Sequence, residues 1–305
     1  MIGTLVLSAR GEQSFTATQL AQLSGASIAA VPDSISEDQF TTLAQQKSVV
    51  ALTRRPQISI TRKVLDKLPN LRALCVYSTG LEWIDLDEVK ARGILCLSLE
   101  DYCSSSVAEH TVGMLLSLSR RIVLSDLKST KIIPEHISLR GFEVANKKVG
   151  IIGLGRIGKK TAELLKPFGC SINYHDPLEI STPYQRVTKD ELLKTCDIVV
   201  LACPYSGICE IGRTEVNMMK TGSVLLNPSR KDLVDTPTIL DALRTKKVKG
   251  YAVDDVIVQD TSEIEYGRLL QTYHTAWYSD EVLERGTQMW VDNINSAREM
   301  VSSNE

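Results

Sequence analysis

The feature that most constrains this chain is a Gly-x-Gly-x-x-Gly motif set between an apolar run and a helical pattern. Residues 149–152 read as a short buried strand, and residues 159–168 have helical spacing. In such a strand–turn–helix, Gly153 makes the tight turn, Gly155 lets backbone N–H groups approach a pyrophosphate, and Gly158 lets helix and strand pack closely. The helix N-terminus adds partial positive charge for the anion. The residues predicted to bind this group are Gly153, Gly155, Arg156, Ile157 and Gly158.

A carboxylate stands where such a unit holds the ribose of its cofactor. Residues 170–175 predict a second strand, and Asp176 follows it, 18 residues past Gly158. This place and residue type suit the adenine ribose diol. The next residues, 177–179, include no cation that could bind a 2′-phosphate. The predicted cofactor is therefore NAD rather than NADP.

Composition excludes several other classes of protein. The 305 residues suffice for two domains, and a formal net charge of −2 without a charged tail gives no sign of nucleic-acid binding. No apolar run approaches the roughly 18 residues of a membrane span, and the first residues read as a strand rather than a signal peptide. Seven cysteines without a Cys-x-x-Cys pair predict reduced thiols. We therefore expect a cytoplasmic protein with no nucleic-acid or membrane partner.

Residues 1 to 99 alternate short apolar runs with helical spacing, which predicts another parallel, doubly wound sheet. The runs are Thr4–Leu7, Ser27–Val31, Val49–Leu52, Ala73–Tyr77 and Ile94–Leu97. The fourth run leads into the turn Tyr77-Ser78-Thr79-Gly80, at the sheet edge where ligands bind in α/β folds. An ordinary turn explains these residues equally well.

A long helix is predicted from Ser106 to Val123, as a bridge between the two domains. Ser106 and Glu109 have the spacing of a capping box. His110 on this helix is interpreted as a packed structural histidine rather than a ligand. Residues 124–147 are polar and irregular, and they are interpreted as a linker.

Two residues past the cofactor motif suit chemistry at a carbonyl group. Hydride transfer to a carbonyl needs a cation to bind and polarise the substrate and an acid to protonate the oxygen. Arg230 follows a predicted strand that ends at Asn227, and His274 lies in a later loop. Arginine offers a bidentate fork for a carboxylate, and histidine titrates near neutral pH. The residues predicted to line the cofactor crevice at other strand ends are Pro204, Ser229 and Asp254.

Taken together, these motifs resemble the D-isomer-specific 2-hydroxyacid dehydrogenase family, from about Leu71 to the last helix. Within it, Ala276-Trp277-Tyr278-Ser279 is most similar to the C-terminal-binding-protein branch, in which a tryptophan borders the substrate. The segments that carry the resemblance are Asp101 to His110, Gly153 to Gly158 with Asp176, Leu225 to Arg230 with Leu233 to Asp235, Gly250 to Asp254, and the histidine loop Gln271 to Trp277.

The resemblance implies an NAD-dependent enzyme that interconverts a small 2-oxo acid and its D-2-hydroxy acid. In it, Arg230 binds the substrate carboxylate and carbonyl, and His274 is the acid/base. The backbone of residues 78–80 would hold the carboxylate, while Asp254 and Ser229 would bind the nicotinamide amide. It also implies a homodimer. The implied domains are a flavodoxin-like substrate domain of residues 1–99 plus 280–305 and a Rossmann NAD domain of residues 100–279.

One departure from the family pattern affects the histidine. The family pairs it with a glutamate five residues after the strand-ending aspartate, and Gln259 occupies that position here. A carboxylate would stabilise the imidazolium and raise the histidine pKa, whereas an amide can only orient the ring. A second register puts Asp260 in the glutamate's place. The altered position leaves two alternative functions open: an NAD(H)-sensing binding protein with little turnover, and oxidation of formate as in NAD-dependent formate dehydrogenases.

Overall fold

The protein, seen in a computed structural model, divides into two compact units by its internal contacts. The first unit comprises Met1–Tyr102 and Ser279–Glu305, and the second comprises Cys103–Tyr278. The structure describes residues 3–54 and 57–303. The outer ends of the predicted substrate domain, residues 1–2 and 304–305, therefore lie outside the described residues, as do residues 55–56.

The first unit is built on a five-stranded parallel sheet with the strand order β2-β1-β3-β4-β5. This is the flavodoxin-like order of doubly wound sheets, as predicted. The strands are β1 (Thr4–Ser8), β2 (Ser27–Ala30), β3 (Val49–Thr53), β4 (Ala73–Tyr77) and β5 (Leu95–Ser98). The helices are α1 (Ala17–Gln22), α2 (Glu37–Ala44), α3 (Arg62–Asp66), α4 (Leu86–Ala91) and, from the end of the chain, α11 (Asp280–Ser303).

Helix α11 packs on the sheet of the first unit. Its Trp290 is buried, donates from Nε1 to the Cys75 carbonyl at 2.9 Å, and stacks on Phe15 with ring centroids 5.9 Å apart. Tyr77, the last residue of β4, meets Trp290 edge to face. The last helix of the chain thus completes the core of the unit that the first residues begin.

The second unit has a seven-stranded parallel sheet in the order β12-β11-β10-β9-β6-β7-β8. Numbered within the unit, this is the Rossmann order 3-2-1-4-5-6 with one strand added, which confirms the predicted fold class. The strands are β6 (Lys148–Ile152), β7 (Ser171–His175), β8 (Gln185–Arg186), β9 (Ile198–Leu201), β10 (Ser223–Asn227), β11 (Val248–Val253) and β12 (Leu269–Gln271). The helices are α5 (Ser104–Arg120), α6 (Ile122–Ser129), α7 (Arg156–Leu165), α8 (Lys189–Thr195), α9 (Arg213–Met218) and α10 (Thr236–Arg244).

The predicted helix from Ser106 to Val123 and the irregular linker after it are partly wrong. Helix α5 lies wholly in the second unit and ends at Arg120, because Arg121 adopts a left-handed conformation with φ of 57°. A new helix then runs to Ser129. The Ser119 carbonyl, near the end of α5, accepts a hydrogen bond from the Phe142 amide at 2.8 Å. The Phe142 amide thus satisfies one of the backbone carbonyls left without a partner at the end of α5. This helix end carries no C-terminal glycine that would predict it from the sequence.

Candidate active site

The glycine motif folds into an open turn between β6 and α7. Gly153 has φ of 89°, and a Cβ there would lie 2.8 Å from the backbone of Ala202. A Cβ on Gly158 would collide with the Gly153 carbonyl oxygen. Gly155, the N-cap of α7, is exposed, and apart from its own neighbours in the chain no described residue comes within 4 Å of the place its Cβ would take. The turn therefore fits a pyrophosphate, with close packing behind it and open space at the helix N-terminus.

Asp176 follows β7 and supports the glycine turn. Its two carboxylate oxygens accept hydrogen bonds from the amides of Leu154, at 2.8 Å, and Leu178, at 2.9 Å. Arg186 on β8 donates to the backbone carbonyls of Asp176 and Pro177 at 2.8 and 3.0 Å. The sequence does not indicate this cation beside Asp176, because Arg186 comes from a two-residue edge strand rather than from the residues that directly follow the aspartate.

Exchanging Asp176 for asparagine should shift cofactor preference from NADH toward NADPH. The change would remove the predicted charge-assisted hydrogen bonds to the ribose diol, worth about 1.5–3 kcal/mol. It would also remove the repulsion of a 2′-phosphate, while Arg186 stays nearby. We expect the ratio of the two dissociation constants, measured by nucleotide fluorescence, to change about a hundredfold. Glu179→Gln, in the same exposed segment, is the matched control. A ratio that is the same in Asp176→Asn and wild type would refute this role.

Arg230, Asp254 and His274 leave three adjacent strands at the same edge of the sheet. Strands β10, β11 and β12 are neighbours in register, with Asn227 paired to Val253 and Val253 paired to Gln271. Arg230 lies three residues beyond the first strand end, Asp254 one residue beyond the second, and His274 three residues beyond the third. Sequence reasoning thus selected residues that the topology carries to one edge.

A buried asparagine fixes the turn that carries Arg230. The side chain of Asn227 is fully buried, accepts from the Ser229 amide at 3.1 Å, and donates to the Arg230 carbonyl at 2.8 Å and the Tyr251 hydroxyl at 3.3 Å. The Ser229 hydroxyl donates to the Leu201 carbonyl on β9 at 3.0 Å. Hydrogen bonds therefore join this turn to β9, β10 and β11. They fix the backbone of Arg230, whose side chain is half-buried.

A buried carboxylate shapes the loop that carries His274. Asp254 is 3% exposed and accepts hydrogen bonds from the Thr272 hydroxyl at 2.7 Å and from the amides of Thr275 and Ala276 at 2.8 and 2.9 Å. Between these anchors, His274 adopts a left-handed conformation with φ of 53°. Asp254 thus holds the loop of residues 272–276 through three hydrogen bonds. Its assignment to the nicotinamide amide stays a prediction.

Helix α5 holds the same loop from a second direction. Ser106 donates to the Ala276 carbonyl at 2.8 Å, and His110 Nε2 lies 3.0 Å from the Thr272 hydroxyl oxygen. Because the Thr272 hydroxyl donates its proton to Asp254, Nε2 of His110 must be the donor in this contact. Burial lowers the pKa of His110, although Asp254 at 3.7 Å acts in the opposite direction. His110 is thus a packed, neutral histidine near pH 7, as interpreted from the sequence.

The predicted capping box at Ser106 is wrong for a reason that bears on the site. The helix begins at Ser104, two residues earlier, and Cys103 at its N-cap makes no side-chain capping hydrogen bond. Ser106 and His110, one helical turn apart, instead direct their side chains to the loop around His274. No local pattern distinguishes a serine that caps a helix from one that binds a distant loop.

Replacing His110 by leucine should loosen the His274 loop and lower kcat about tenfold, since small misplacements of catalytic groups are costly. The lost hydrogen bond should also reduce the free energy of unfolding by about 1–2 kcal/mol. His110→Gln keeps an N–H donor and should recover most of both losses. Urea unfolding and steady-state kinetics measure these effects, and an unchanged kcat in the leucine variant would contradict the positioning role.

The glutamine variant also tests the charge state of His110. The pKa of His110 in the folded protein lies below its ordinary value of 6.5. Below pH 6.5, His110 therefore takes up a proton more readily in the unfolded chain than in the folded one. The wild-type free energy of unfolding should therefore be fully retained above pH 6.5 and fall as the pH drops below it. The fall should be smaller in His110→Gln, and equal slopes in the two proteins would contradict a neutral buried histidine.

The two candidates for the histidine partner differ in their surroundings. Asp260 accepts a hydrogen bond from the Ser262 amide at 2.9 Å, and this bond and Arg244 hold its pKa below the usual range. Its carboxylate is thus engaged in a local turn, which favours the register with Gln259. Gln259 is exposed in the loop after β11.

The remaining predicted residues lie on loops of both units. Trp277 meets Tyr278 edge to face at 5.2 Å, and Pro204 is exposed beyond the end of β9. In the first unit, Ser78 donates to the Gly80 carbonyl at 2.9 Å and Thr79 donates to the Leu99 carbonyl at 2.9 Å, which closes the turn after β4. Tyr77, directly before this turn, is half-buried, and its ring contacts the rings of Tyr102 and Trp290.

Within residues 3–54 and 57–303, no group of three or more His, Cys, Asp or Glu side chains could hold a metal ion. No helix in this part of the chain is long and apolar enough to cross a membrane.

Comparison with known proteins supports the interpretation of the motifs. The chain is 34% identical to the glyoxylate reductase of Thermofilum pendens over 64% of this chain and 61% of that protein. It is 32% identical to the D-3-phosphoglycerate dehydrogenase of Escherichia coli K12 over 66% of this chain and 50% of that protein. Among solved structures, the TT0316 protein of Thermus thermophilus shares the fold, with a TM-score of 0.86, 24% identity, and coverage of 98% of this chain and 97% of that one.

The chain spans between half and about three-fifths of the length of these two relatives. A family model, described as the NAD binding domain of D-isomer specific 2-hydroxyacid dehydrogenases, matches residues 112–276. This segment contains the glycine turn, Asp176, Arg230 and His274, and its match confirms NAD as the predicted cofactor. Because the match extends over more than half of the chain, the protein belongs to the D-isomer specific 2-hydroxyacid dehydrogenase family.

Proposed function

We propose that this protein is an NAD-dependent enzyme that interconverts a small 2-oxo acid and its D-2-hydroxy acid. One observation carries the proposal: Arg230 and His274 leave β10 and β12, the two strands that flank β11, at the same sheet edge, each on a backbone anchored by a buried polar side chain. Asn227 provides the first anchor and Asp254 the second. A chain that had kept only the nucleotide site would have no need for a fixed cation and a fixed histidine together.

In the proposed mechanism, the glycine turn and Asp176 would hold NAD(H), which would supply the hydride chemistry at C2 of the substrate. Arg230 binds the substrate carboxylate with its guanidinium fork and polarises the 2-oxo group. His274 donates a proton to the carbonyl oxygen during reduction and takes it back during oxidation. Thr272 and Asp254 keep the histidine loop in place, so that the ring need not be ordered at each turnover.

In the first unit, we keep the turn Ser78–Gly80 as the proposed binding segment for the substrate carboxylate. The hydrogen bonds from the Ser78 and Thr79 hydroxyls to backbone carbonyls hold the backbone of this turn in one conformation. Tyr77 directly precedes this turn and stays a proposed substrate contact, with its ring against Tyr102 and Trp290. Trp277 remains the proposed border of the substrate.

The proposed enzyme is a cytoplasmic homodimer joined through the second unit. Helix α6 and the segment after it expose four large apolar side chains, which favours burial against a second copy. These are Ile122, Val123, Ile132 and Leu139. All seven cysteines are free thiols, which fits a reducing compartment. Light scattering should give the mass of two chains, and a monomer mass at micromolar concentration would contradict the dimer.

The activity is tested by NADH absorbance with a panel of 2-oxo acids, from glyoxylate and hydroxypyruvate to branched and aromatic acids. We expect turnover of at least one acid. The rate should be highest toward acid pH, because the neutral Gln259 amide, unlike a carboxylate, does not stabilise the protonated form of His274. NAD with formate is run alongside. Binding of NADH without turnover of any acid would favour an NAD(H)-sensing protein instead.

A further inference from the structure

A small cavity opens at the amino-terminal edge of the second sheet, opposite the edge that carries Arg230 and His274. It lies where β6, β9, β10 and β11 begin and has a volume of about 80 Å³. A water molecule takes about 30 Å³ of the liquid, so the cavity has room for a group of several non-hydrogen atoms. Its lining residues are Phe142, Lys147, Asp197, Ile198, Gly222, Val224 and Lys249.

Two half-buried lysines line this cavity. Lys249 Nζ lies 4.4 Å from the ring centroid of Phe142, which places the ammonium group against an apolar wall. Neither Lys147 nor Lys249 forms an ion pair with a carboxylate in the part of the chain that the structure describes. Burial lowers the pKa of Lys249, and repulsion from Arg121, Lys147, Arg268 and Arg140 lowers it further.

The carboxylates around this cluster are already engaged. Asp197 accepts from Lys220 Nζ at 2.7 Å and from the Lys148 amide at 3.0 Å. Glu265 pairs with Arg268 at 3.0 Å. Among the described residues, no carboxylate is therefore left to neutralise the charges of Lys147 and Lys249. A dianion would relieve the repulsion among these cations.

We infer that this cavity binds a phosphate group between Lys147 and Lys249. A phosphate dianion matches two ammonium groups, which bind phosphate as point charges rather than as forks. The apolar wall of Phe142, Ile198 and Val224 would exclude water from one side of the pair. Free phosphate and the phosphoryl group of a small ester share this chemistry. The site lies at the opposite sheet edge from the glycine turn and depends on neither the cofactor nor the proposed activity.

Thermal unfolding with saturating NADH tests the site, because the nucleotide occupies the competing anion site at the glycine turn. Inorganic phosphate, at ten times its Kd, should raise Tm by about 3 °C over chloride of equal ionic strength. Glycerol 3-phosphate is the second arm, and the tighter of the two ligands identifies the natural source as free or esterified phosphate.

Lys249→Met and Lys147→Met each remove one cation and keep an apolar side chain in place. Both should weaken phosphate binding about tenfold or more, and NADH fluorescence shows that each variant is folded. Lys63→Met, an exposed lysine of the first unit, should keep the full shift. A phosphate effect no larger than that of chloride, or one undiminished in both cavity variants, would overturn the proposal.

Discussion

Replacing Arg230 by lysine should lower kcat/KM for the preferred 2-oxo acid about a thousandfold while the Kd for NADH changes little. The lysine keeps the charge but loses the planar fork that binds carboxylate and carbonyl together. Two charge-assisted hydrogen bonds are each worth about 1.5–3 kcal/mol, and their joint loss corresponds to this factor. Steady-state kinetics and nucleotide fluorescence measure the two effects separately.

Lys231 provides the matched control for this change. It is the next residue, and its Nζ lies 3.7 Å from Asp255 in a half-exposed pair. Lys231→Gln should therefore leave kcat/KM within about threefold of wild type, as expected for surface ion pairs. If the Arg230→Lys variant kept most of its activity, arginine would not be the residue that binds and polarises the substrate.

Replacing His274 by asparagine should lower kcat by about a hundredfold to ten-thousandfold, the usual contribution of a general acid. Asparagine is suited to this test because it tolerates the left-handed backbone that His274 adopts with φ of 53°. The loop should therefore persist without the proton donor. We expect kcat of the wild type to decline toward high pH if a histidine is the acid, and this decline should be absent from the asparagine variant.

Tyr273 is the control for the His274 loop, since its side chain is 82% exposed. Tyr273→Phe should leave both kcat and its pH profile unchanged. Retention of more than a tenth of wild-type kcat in His274→Asn would assign proton transfer to another group. Loss of NADH affinity in the asparagine variant would show instead that the loop supports the cofactor.

The cofactor turn and the strand ends could be predicted from the sequence because they depend on local chemistry. Only glycine fits Gly153 and Gly158 in a strand–turn–helix, and parallel strands bring their carboxyl ends to one edge whatever their order. Arg230 and His274 could therefore be placed together without knowledge of any contact. The five strands of the first unit could be predicted because each is a short run of mostly apolar residues.

What the sequence did not indicate depends on contacts between distant segments. The approach of Ser106 and His110 to the loop of Thr272 to Ala276 joins residues more than 160 positions apart. Arg186 reaches Asp176 from a two-residue strand with no apolar pattern, and Arg121 breaks a helix without glycine or proline. Asp254 could be placed at the edge, but its hydrogen bonds to the loop could not be foreseen.

The most direct test of the proposed activity follows the hydride itself. The preferred 2-oxo acid is reduced with NADH deuterated at C4 of the nicotinamide, and the product is analysed by mass spectrometry and chiral chromatography. We expect one deuterium at C2 of a product that is the D-2-hydroxy acid, formed at a rate that falls sharply in Arg230→Lys and His274→Asn. A product of L configuration, or one without deuterium at C2, would contradict it.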